Sequence, residues 1–152
     1  MSTLSILCIS GPNLQLLGAR EPSIYGTTTL DEIHTALAAA AQVLSATVTC
    51  RQSNHEGDIV TWIGEALGKH DGILINPGAL THTSIAIYDA IKAVAIPTIE
   101  VHLSNPDARE SFRRRSRVAA ACMGRVAGFG DESYRLALEG LVRALWRKTH
   151  TP

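Results

Sequence analysis

Short apolar segments alternate along this chain with segments of helical hydrophobic period, and this alternation is the feature that most constrains its fold. The apolar segments predict five strands, at 4–10, 46–52, 72–76, 97–103 and, more weakly, 125–127. Apolar residues at helical spacing predict helices at 30–44, from 59 to about 68, at 83–94 and from 134 to 145. Strands that are apolar nearly throughout indicate a parallel sheet covered on both faces. We predict one α/β domain over residues 1–152, a flavodoxin-like three-layer sandwich with a five-stranded parallel sheet.

Composition limits the partners that such a domain can have. The chain carries 14 basic and 14 acidic residues, so no overall field attracts nucleic acid or an anionic membrane. No segment approaches the roughly 18 apolar residues of a transmembrane helix. Cys8, Cys50 and Cys122 are odd in number and form no C-x-x-C pair, which favours reduced thiols. We expect a cytoplasmic protein that binds a small molecule in a pocket, with neither nucleic acid nor membrane as a partner.

The sequence lacks the motifs of the common cofactor sites. It contains no G-x-x-x-x-G-K-[ST], no G-x-G-x-x-G after the first strand and no G-x-S-x-G. His55 and Glu56 begin like a zinc-protease helix motif, but Ile59 stands where the second histidine is required. A phosphoacceptor receiver domain would need acidic residues after the first strand, where Ser-Gly-Pro-Asn stands. We therefore expect no metal and no cofactor.

A long polar loop, from Gly11 to Gly26, follows the first predicted strand. Loops of this length in a compact domain are uncommon unless they form a lid or a site, because ordering irregular backbone costs entropy. A tyrosine has a reference pKa of about 10, so it acts as a base near neutral pH only where a cation stabilises its phenolate. Arg20 could stabilise Tyr25 in this way, or it could pair with Glu21 beside a surface tyrosine. The residues alone leave both interpretations open.

The fourth predicted strand ends with Glu100 and His102, which point to the same face of the sheet. A carboxylate that holds one imidazole nitrogen leaves the other for proton transfer, as general acid catalysis requires. A pair that only stabilises the strand end is the alternative. His82 and Asn76 likewise have simpler interpretations, as a helix cap and a turn residue.

Ligands of open parallel sheets bind at the carboxyl ends of the strands. We therefore expect the polar residues that follow the strands to converge on one site: those at 13–25, Ser53, Asn54, His55, Glu56, Asn76, His82, His102, Ser104 and Asn105. In the basic run Arg113-Arg114-Arg115-Ser116-Arg117 we expect one arginine to turn towards this site. The others would be solvated or would pair across a subunit contact, and spacing does not tell which is which.

Four sequence blocks resemble the type II 3-dehydroquinate dehydratases (type II dehydroquinases), and the resemblance covers essentially the whole chain. The blocks are the loop from Gly11-Pro12-Asn13-Leu14 through Arg20-Glu21-Pro22 to Ile24-Tyr25-Gly26, then 52–57, then 75–79 with 81–84, and 100–105. Two positions depart from the family pattern. Gln15 stands where the family usually has asparagine, and Arg113-Arg114-Arg115-Ser116 replaces Arg-His-His-Ser.

The resemblance implies an anti elimination of water from 3-dehydroquinate, through an enolate, to give 3-dehydroshikimate in the shikimate pathway or in quinate breakdown. It implies these catalytic residues: Tyr25 as base, Arg20 as the cation beside it, His102 as acid, Glu100 as its support and Asn13 as an enolate donor through an ordered water. The substrate-binding positions that it implies are Asn76, His82, Asp89, Leu103, Ser104 and Arg113. It also implies Arg113 as the second cation beside Tyr25. Asp89 would reach a neighbouring subunit, since similar enzymes are homododecamers built from trimers.

Two further expectations follow from this resemblance and from the loop. The loop should act as a lid that excludes water, with Gly18 and Gly26 as hinges. The competing function is a flavodoxin-like binding module without chemistry, in which the same polar residues hold an anionic ligand or a protein partner.

Overall fold

A computed structural model describes residues 2–151 as a parallel sheet with helices on both faces. Met1 and Pro152, the ends of the predicted domain, lie outside the described residues. The strands are β1 (Leu4–Ser10), β2 (Ala46–Gln52), β3 (Gly72–Asn76), β4 (Thr98–His102) and β5 (Gly124–Ala127). The helices are α1 (Pro22–Tyr25), α2 (Leu30–Val43), α3 (Glu56–Glu65), α4 (Ile85–Val94) and α5 (Glu132–His150). In the range 2–151, no helix combines the length and the apolar character that a membrane span requires.

The strand order β2-β1-β3-β4-β5 is the order of a flavodoxin-like sheet. All four neighbouring pairs are parallel, which confirms the predicted five-stranded parallel sheet. The chain moves from β1 outward to β2 and then returns to the other side of β1 to form β3. The strand order therefore reverses between β1 and β3, and the loops that follow these two strands diverge to leave a crevice.

The sheet separates two apolar cores because successive side chains of a strand point to opposite faces. In β1, Ile6 and Cys8 pack against α2 and α5, whereas Leu7 and Ile9 pack against α3 and α4. These four side chains are at most 2% exposed. Burial on both faces explains why β1 is a continuous apolar run in the sequence.

Two helix predictions were wrong in detail. Helix α4 begins at Ile85 and not at 83, because the Ser84 hydroxyl accepts a hydrogen bond from the backbone N–H of Ile87 at 2.9 Å and caps the first turn. Leu67 was expected on the inner face of a helix reaching about 68. Helix α3 ends at Glu65, and Leu67 is 63% exposed in the turn that follows.

The long loop after β1 is more regular than its composition suggests. It contains a 3₁₀-helix at Leu14–Leu16 and the single turn α1. Leu14 and Leu17 are buried and attach the loop to the core. The backbone enters the left-handed region at both predicted hinges, with φ of 95° at Gly18 and 78° at Gly26, where glycine carries no steric penalty.

Candidate active site

A pocket of about 240 Å³ opens at the carboxyl ends of β1, β3 and β4, beside the reversal of strand order. The segments that follow these three strands line it. The lining residues are Pro12, Asn13, Leu14, Arg20, Tyr25, Asn76, Gly78, Ala79, His82, His102, Leu103, Ser104, Pro106, Arg109 and Arg113. Such a crevice is where open α/β sheets bind their ligands.

Tyr25 lines the pocket with two guanidinium groups next to its ring. The Cζ atom of Arg20 is 4.5 Å from the centroid of the tyrosine ring, and that of Arg109 is 5.2 Å from it. Arg20 also lies 3.8 Å from the Glu21 carboxylate, so both contacts considered for Arg20 occur. Both guanidinium groups are therefore close enough to the ring for a cation–π interaction.

No sequence pattern indicated a role for Arg109, which lies in the irregular charged segment between β4 and β5. Its Nη1 donates a hydrogen bond to Ser104 Oγ at 3.3 Å, which directs the guanidinium to Tyr25. A segment without hydrophobic period does not indicate which of its charges points inward. The resemblance implied Arg113 as the second cation beside Tyr25, but the structure places Arg109 there, whereas Arg113 lies over the Phe112 ring.

His102 and Glu100 form a buried hydrogen-bonded pair at the end of β4, and His102 lines the pocket. His102 Nε2 donates to Glu100 Oε2 at 2.5 Å, as strand periodicity predicted for two side chains on one face. The carboxylate also accepts from Thr81 Oγ1 at 2.8 Å and from Ser116 Oγ at 2.7 Å. Arg125 donates to Oε2 from β5 at 3.1 Å. These donors keep a fully buried carboxylate ionised and fix its orientation.

The environment of Glu100 lowers its pKa on balance. Burial raises the pKa of this carboxyl, but the hydrogen bond and charge of His102, the Ser116 hydrogen bond and the charge of Arg125 together outweigh burial. Glu100 is therefore an anion that orients His102 Nε2, and the second ring nitrogen, Nδ1, is left for proton transfer.

A buried tyrosine holds the amide of Asn76 at the base of the pocket. Asn76 Nδ2 donates to the Tyr134 hydroxyl at 3.0 Å, and its Oδ1 accepts from the backbone N–H of Gly78 at 3.1 Å. The Tyr134 hydroxyl shares a further 3.0 Å hydrogen bond with Ser10. Burial raises the pKa of Tyr134 far above its ordinary value, so it remains a neutral donor. Sequence periodicity indicated only an apolar role for Tyr134.

The segment around Ser116 also orients His82. His82 Nδ1 lies 2.8 Å from the Arg115 carbonyl oxygen, so Nδ1 carries the proton and Nε2 is left for the pocket. Of the consecutive arginines 113–115, Arg113 lines the pocket, whereas Arg114 and Arg115 are exposed. Arg113 also pairs with Glu110.

Asn13 lies at the mouth of the pocket in a left-handed backbone conformation with φ of 70°. Its backbone N–H donates to Asn54 Oδ1 at 3.0 Å. The Gln52 side chain donates to both Asn54 Oδ1 at 3.2 Å and Gln15 Oε1 at 3.1 Å. The departure at Gln15 thus takes part in a local network that supports Asn13.

Several residues expected at the site lie elsewhere in the structure. Ser53, Asn54, His55 and Glu56 do not line the pocket, because β2 is an edge strand and the pocket lies over β1, β3 and β4. Ser53 instead donates to Asp58 at 2.6 Å at the start of α3. Asp89 is exposed on α4 and is outside the pocket of this chain. Within 2–151, no group of three or more His, Cys, Asp or Glu side chains is arranged to hold a metal ion.

The sheet order and the pocket define a flavodoxin-like α/β domain that gathers proton-transfer groups at its strand ends. Residues 4–142 match the family described as dehydroquinase class II. The chain belongs to the class II dehydroquinase family.

Named relatives and solved structures agree with this membership. A 3-dehydroquinate dehydratase from a Nostoc species is 59% identical over 145 residues, which are 95% of this chain and 99% of the relative. A type II dehydroquinase from Butyrivibrio crossotus superposes with a TM-score of 0.90 at 43% identity and covers 91% of this chain and 97% of its own. One from Propionibacterium acnes gives 0.89 at 43% identity, with 93% and 98% covered.

Proposed function

We infer that this protein is a type II 3-dehydroquinate dehydratase, a hydro-lyase that converts 3-dehydroquinate to 3-dehydroshikimate. The observation that carries this conclusion is one pocket that contains both Tyr25 next to two guanidinium groups and His102 bound to Glu100. The named relatives act on the same substrate according to their names. They do not favour the alternative of a binding module without chemistry. The reaction belongs to the shikimate pathway.

The first chemical step is removal of a proton from the carbon next to the ring ketone. Tyr25 is the base in its phenolate form, and Arg20 and Arg109, which lie next to its ring, supply the positive charge that stabilises it. The electron pair of the broken C–H bond moves onto the ketone oxygen and forms an enolate. Asn13, acting through a water molecule, is the donor that meets this charge.

The second step expels the hydroxyl group. The enolate electrons return to form the ring double bond as the carbon–oxygen bond breaks, and His102 donates a proton so that water leaves. Glu100 holds Nε2 throughout, which keeps the acid oriented and stabilises the imidazolium before transfer. Tyr25 and His102 both line the pocket, so the base and the acid of the elimination can act on one bound substrate.

The remaining polar groups bind the substrate carboxylate and hydroxyls. Asn76 has one N–H left after its contact with Tyr134, and His82 presents Nε2. Arg113 supplies positive charge for an anionic substrate, and Leu103 and Ser104 supply backbone N–H groups. This set gives a mixture of donors and acceptors that a hydroxylated carboxylic acid matches.

An absorbance assay tests the activity directly. The purified protein is mixed with 3-dehydroquinate, and the ultraviolet absorbance of the conjugated enone is followed. We expect absorbance to rise equally with and without EDTA, and to rise at the same rate after treatment with borohydride in the presence of substrate. No rise would overturn the proposal, and loss of activity to borohydride would indicate an imine mechanism instead.

We further propose that all 152 residues form one catalytic domain, that the protein is cytoplasmic, and that it assembles as a homododecamer of trimers. The three free cysteines support a reducing compartment.

The exposed position of Asp89 on α4 supports the assembly, because it leaves the carboxylate accessible to a neighbouring subunit. Light scattering after size exclusion should give the mass of twelve chains, and a monomer mass would contradict the assembly.

A further inference from the structure

One oxygen atom of Glu100 receives three donors, which is an unusual concentration for a residue that supports a catalytic acid. Oε2 accepts from His102 at 2.5 Å, from Thr81 at 2.8 Å and from Arg125 at 3.1 Å. Thr81 adds no charge, so the charge balance of the pair depends on Arg125. Arg125 donates directly to Glu100 Oε2, the same atom that accepts the hydrogen bond from His102.

The backbone fixes Arg125 in this position. Arg125 and Glu100 are register partners on β5 and β4, so their side chains point to the same face of the sheet. Glu100 is 0% exposed, and the Arg125 side chain is 27% exposed, so water screens their interaction only in part. Arg125 is not among the pocket-lining residues and so acts on the substrate only through Glu100.

We propose that Arg125 is a positioning residue for the acid step, which holds Glu100 Oε2 in place and offsets part of the negative charge by which that carboxylate stabilises the His102 imidazolium. The proposal rests on the proposed function, in which His102 protonates the departing hydroxyl. A bare carboxylate next to His102 would hold the imidazolium proton tightly and make it a poor acid. The guanidinium offsets part of this negative charge, so the hydrogen bond at Nε2 orients the ring while the proton on Nδ1 stays acidic enough to transfer.

Other charged and titratable groups surround the pair, and they set the background against which Arg125 acts. On the buried side is the Cys122 thiol, whose pKa is raised to about 12 by burial and by the Glu100 charge, so it stays neutral. Across the pocket are Arg20, Tyr25, His82, Arg109 and Arg113. All of these remain in an Arg125 variant, so a change in the behaviour of His102 reports on Arg125 alone.

The test follows the ¹⁵N resonances of the His102 imidazole against pH in the substrate-free protein, together with the pH profile of kcat. In Arg125→Gln, which keeps a donor but removes the charge, we expect the titration of His102 to move up by about 0.5–1 pH unit. The basic limb of the kcat profile should move in the same direction. At neutral pH kcat should fall at least about twofold while KM changes less. Arg125→Lys, which keeps the charge, should restore both curves.

Arg143→Gln is the matched control, since Arg143 pairs with Glu139 on the exposed face of α5. In Arg143→Gln the His102 titration should be that of the wild type. An unmoved His102 titration in a folded Arg125→Gln protein would overturn the proposal, as would a shift of equal size in Arg143→Gln. The resonance titration needs no substrate, so it still decides the role of Arg125 if the protein fails to dehydrate 3-dehydroquinate.

Discussion

Tyr134 illustrates how a single buried hydroxyl can connect the fold to the site. It belongs to α5, and its hydroxyl forms hydrogen bonds of 3.0 Å with Ser10 at the end of β1 and with Asn76 at the end of β3. Neither neighbour has water as an alternative partner, because Ser10 is 0% exposed and Asn76 is 3% exposed. The orientation of the Asn76 amide in the pocket therefore depends on a residue that never touches the substrate.

Replacing Tyr134 by Phe should weaken both substrate binding and stability. The loss leaves two buried polar groups without their partner, which costs about 1–3 kcal/mol of unfolding free energy. We expect KM to rise more than kcat falls, because the proposed mechanism uses Asn76 to bind substrate and not to transfer a proton. Urea unfolding and steady-state kinetics measure the two effects. Ser10→Ala is the comparison, since it keeps the contact between Tyr134 and Asn76. An equal rise of KM in both variants would contradict this account.

At the scale of elements, the close approach of the β1 and β3 ends forms part of the pocket. Gly11 follows β1, and its N–H donates to the Asn76 carbonyl at 2.8 Å. A Cβ atom at Gly11 would lie 2.5 Å from the Pro77 carbonyl oxygen, which is backbone and cannot move aside easily. Only glycine allows the two strand ends to remain this close.

Gly11→Ala should therefore destabilise the protein by about 1–3 kcal/mol, the usual cost of forcing extra volume into a packed region. Gly140→Ala is the matched control. Gly140 lies within α5 with open space where its Cβ would be, so alanine should be neutral or stabilise by up to about 1 kcal/mol. Urea denaturation of both variants measures the difference. A Gly11→Ala protein as stable as wild type would contradict the predicted clash.

The sequence predicted best the strand ends that are marked by glycine or proline residues. Strand β1 ends at Ser10 before Gly11-Pro12, and β3 ends at Asn76 before Pro77, as the breakers indicated. The position of β2 at the sheet edge has no local signal, so the residues after it were wrongly expected in the pocket. The contacts of Arg109 and Arg125 were not predicted from the sequence for a related reason. Their partners are distant in sequence or on another strand, and only packing brings the charges together.

At the scale of the whole molecule, the buried Glu100 couples the charge of the site to folding stability. Its pKa is lowered in the folded state, so the unfolded chain binds this proton more readily. The stabilisation is present above the ordinary glutamate pKa of about 4.3 and is lost as pH falls through the lowered folded value.

Glu100→Gln should consequently show a shallower decline of unfolding free energy below about pH 4.3, where wild-type Glu100 becomes protonated on unfolding. Urea unfolding at a series of acidic pH values measures this slope. Glu139→Gln is the control, because Glu139 is a surface partner of Arg143 and such pairs add little to stability. A Glu100→Gln slope identical to wild type would contradict the coupling.

In the proposed function this one pocket dehydrates 3-dehydroquinate with Tyr25 as the base. The most direct test is the initial rate of enone formation by Tyr25→Phe, measured beside Tyr88→Phe, a half-buried tyrosine of α4 outside the pocket. Removing only the hydroxyl of Tyr25 should abolish turnover and leave the fold intact by circular dichroism, while Tyr88→Phe keeps the wild-type rate. A Tyr25→Phe rate near that of wild type would contradict the account.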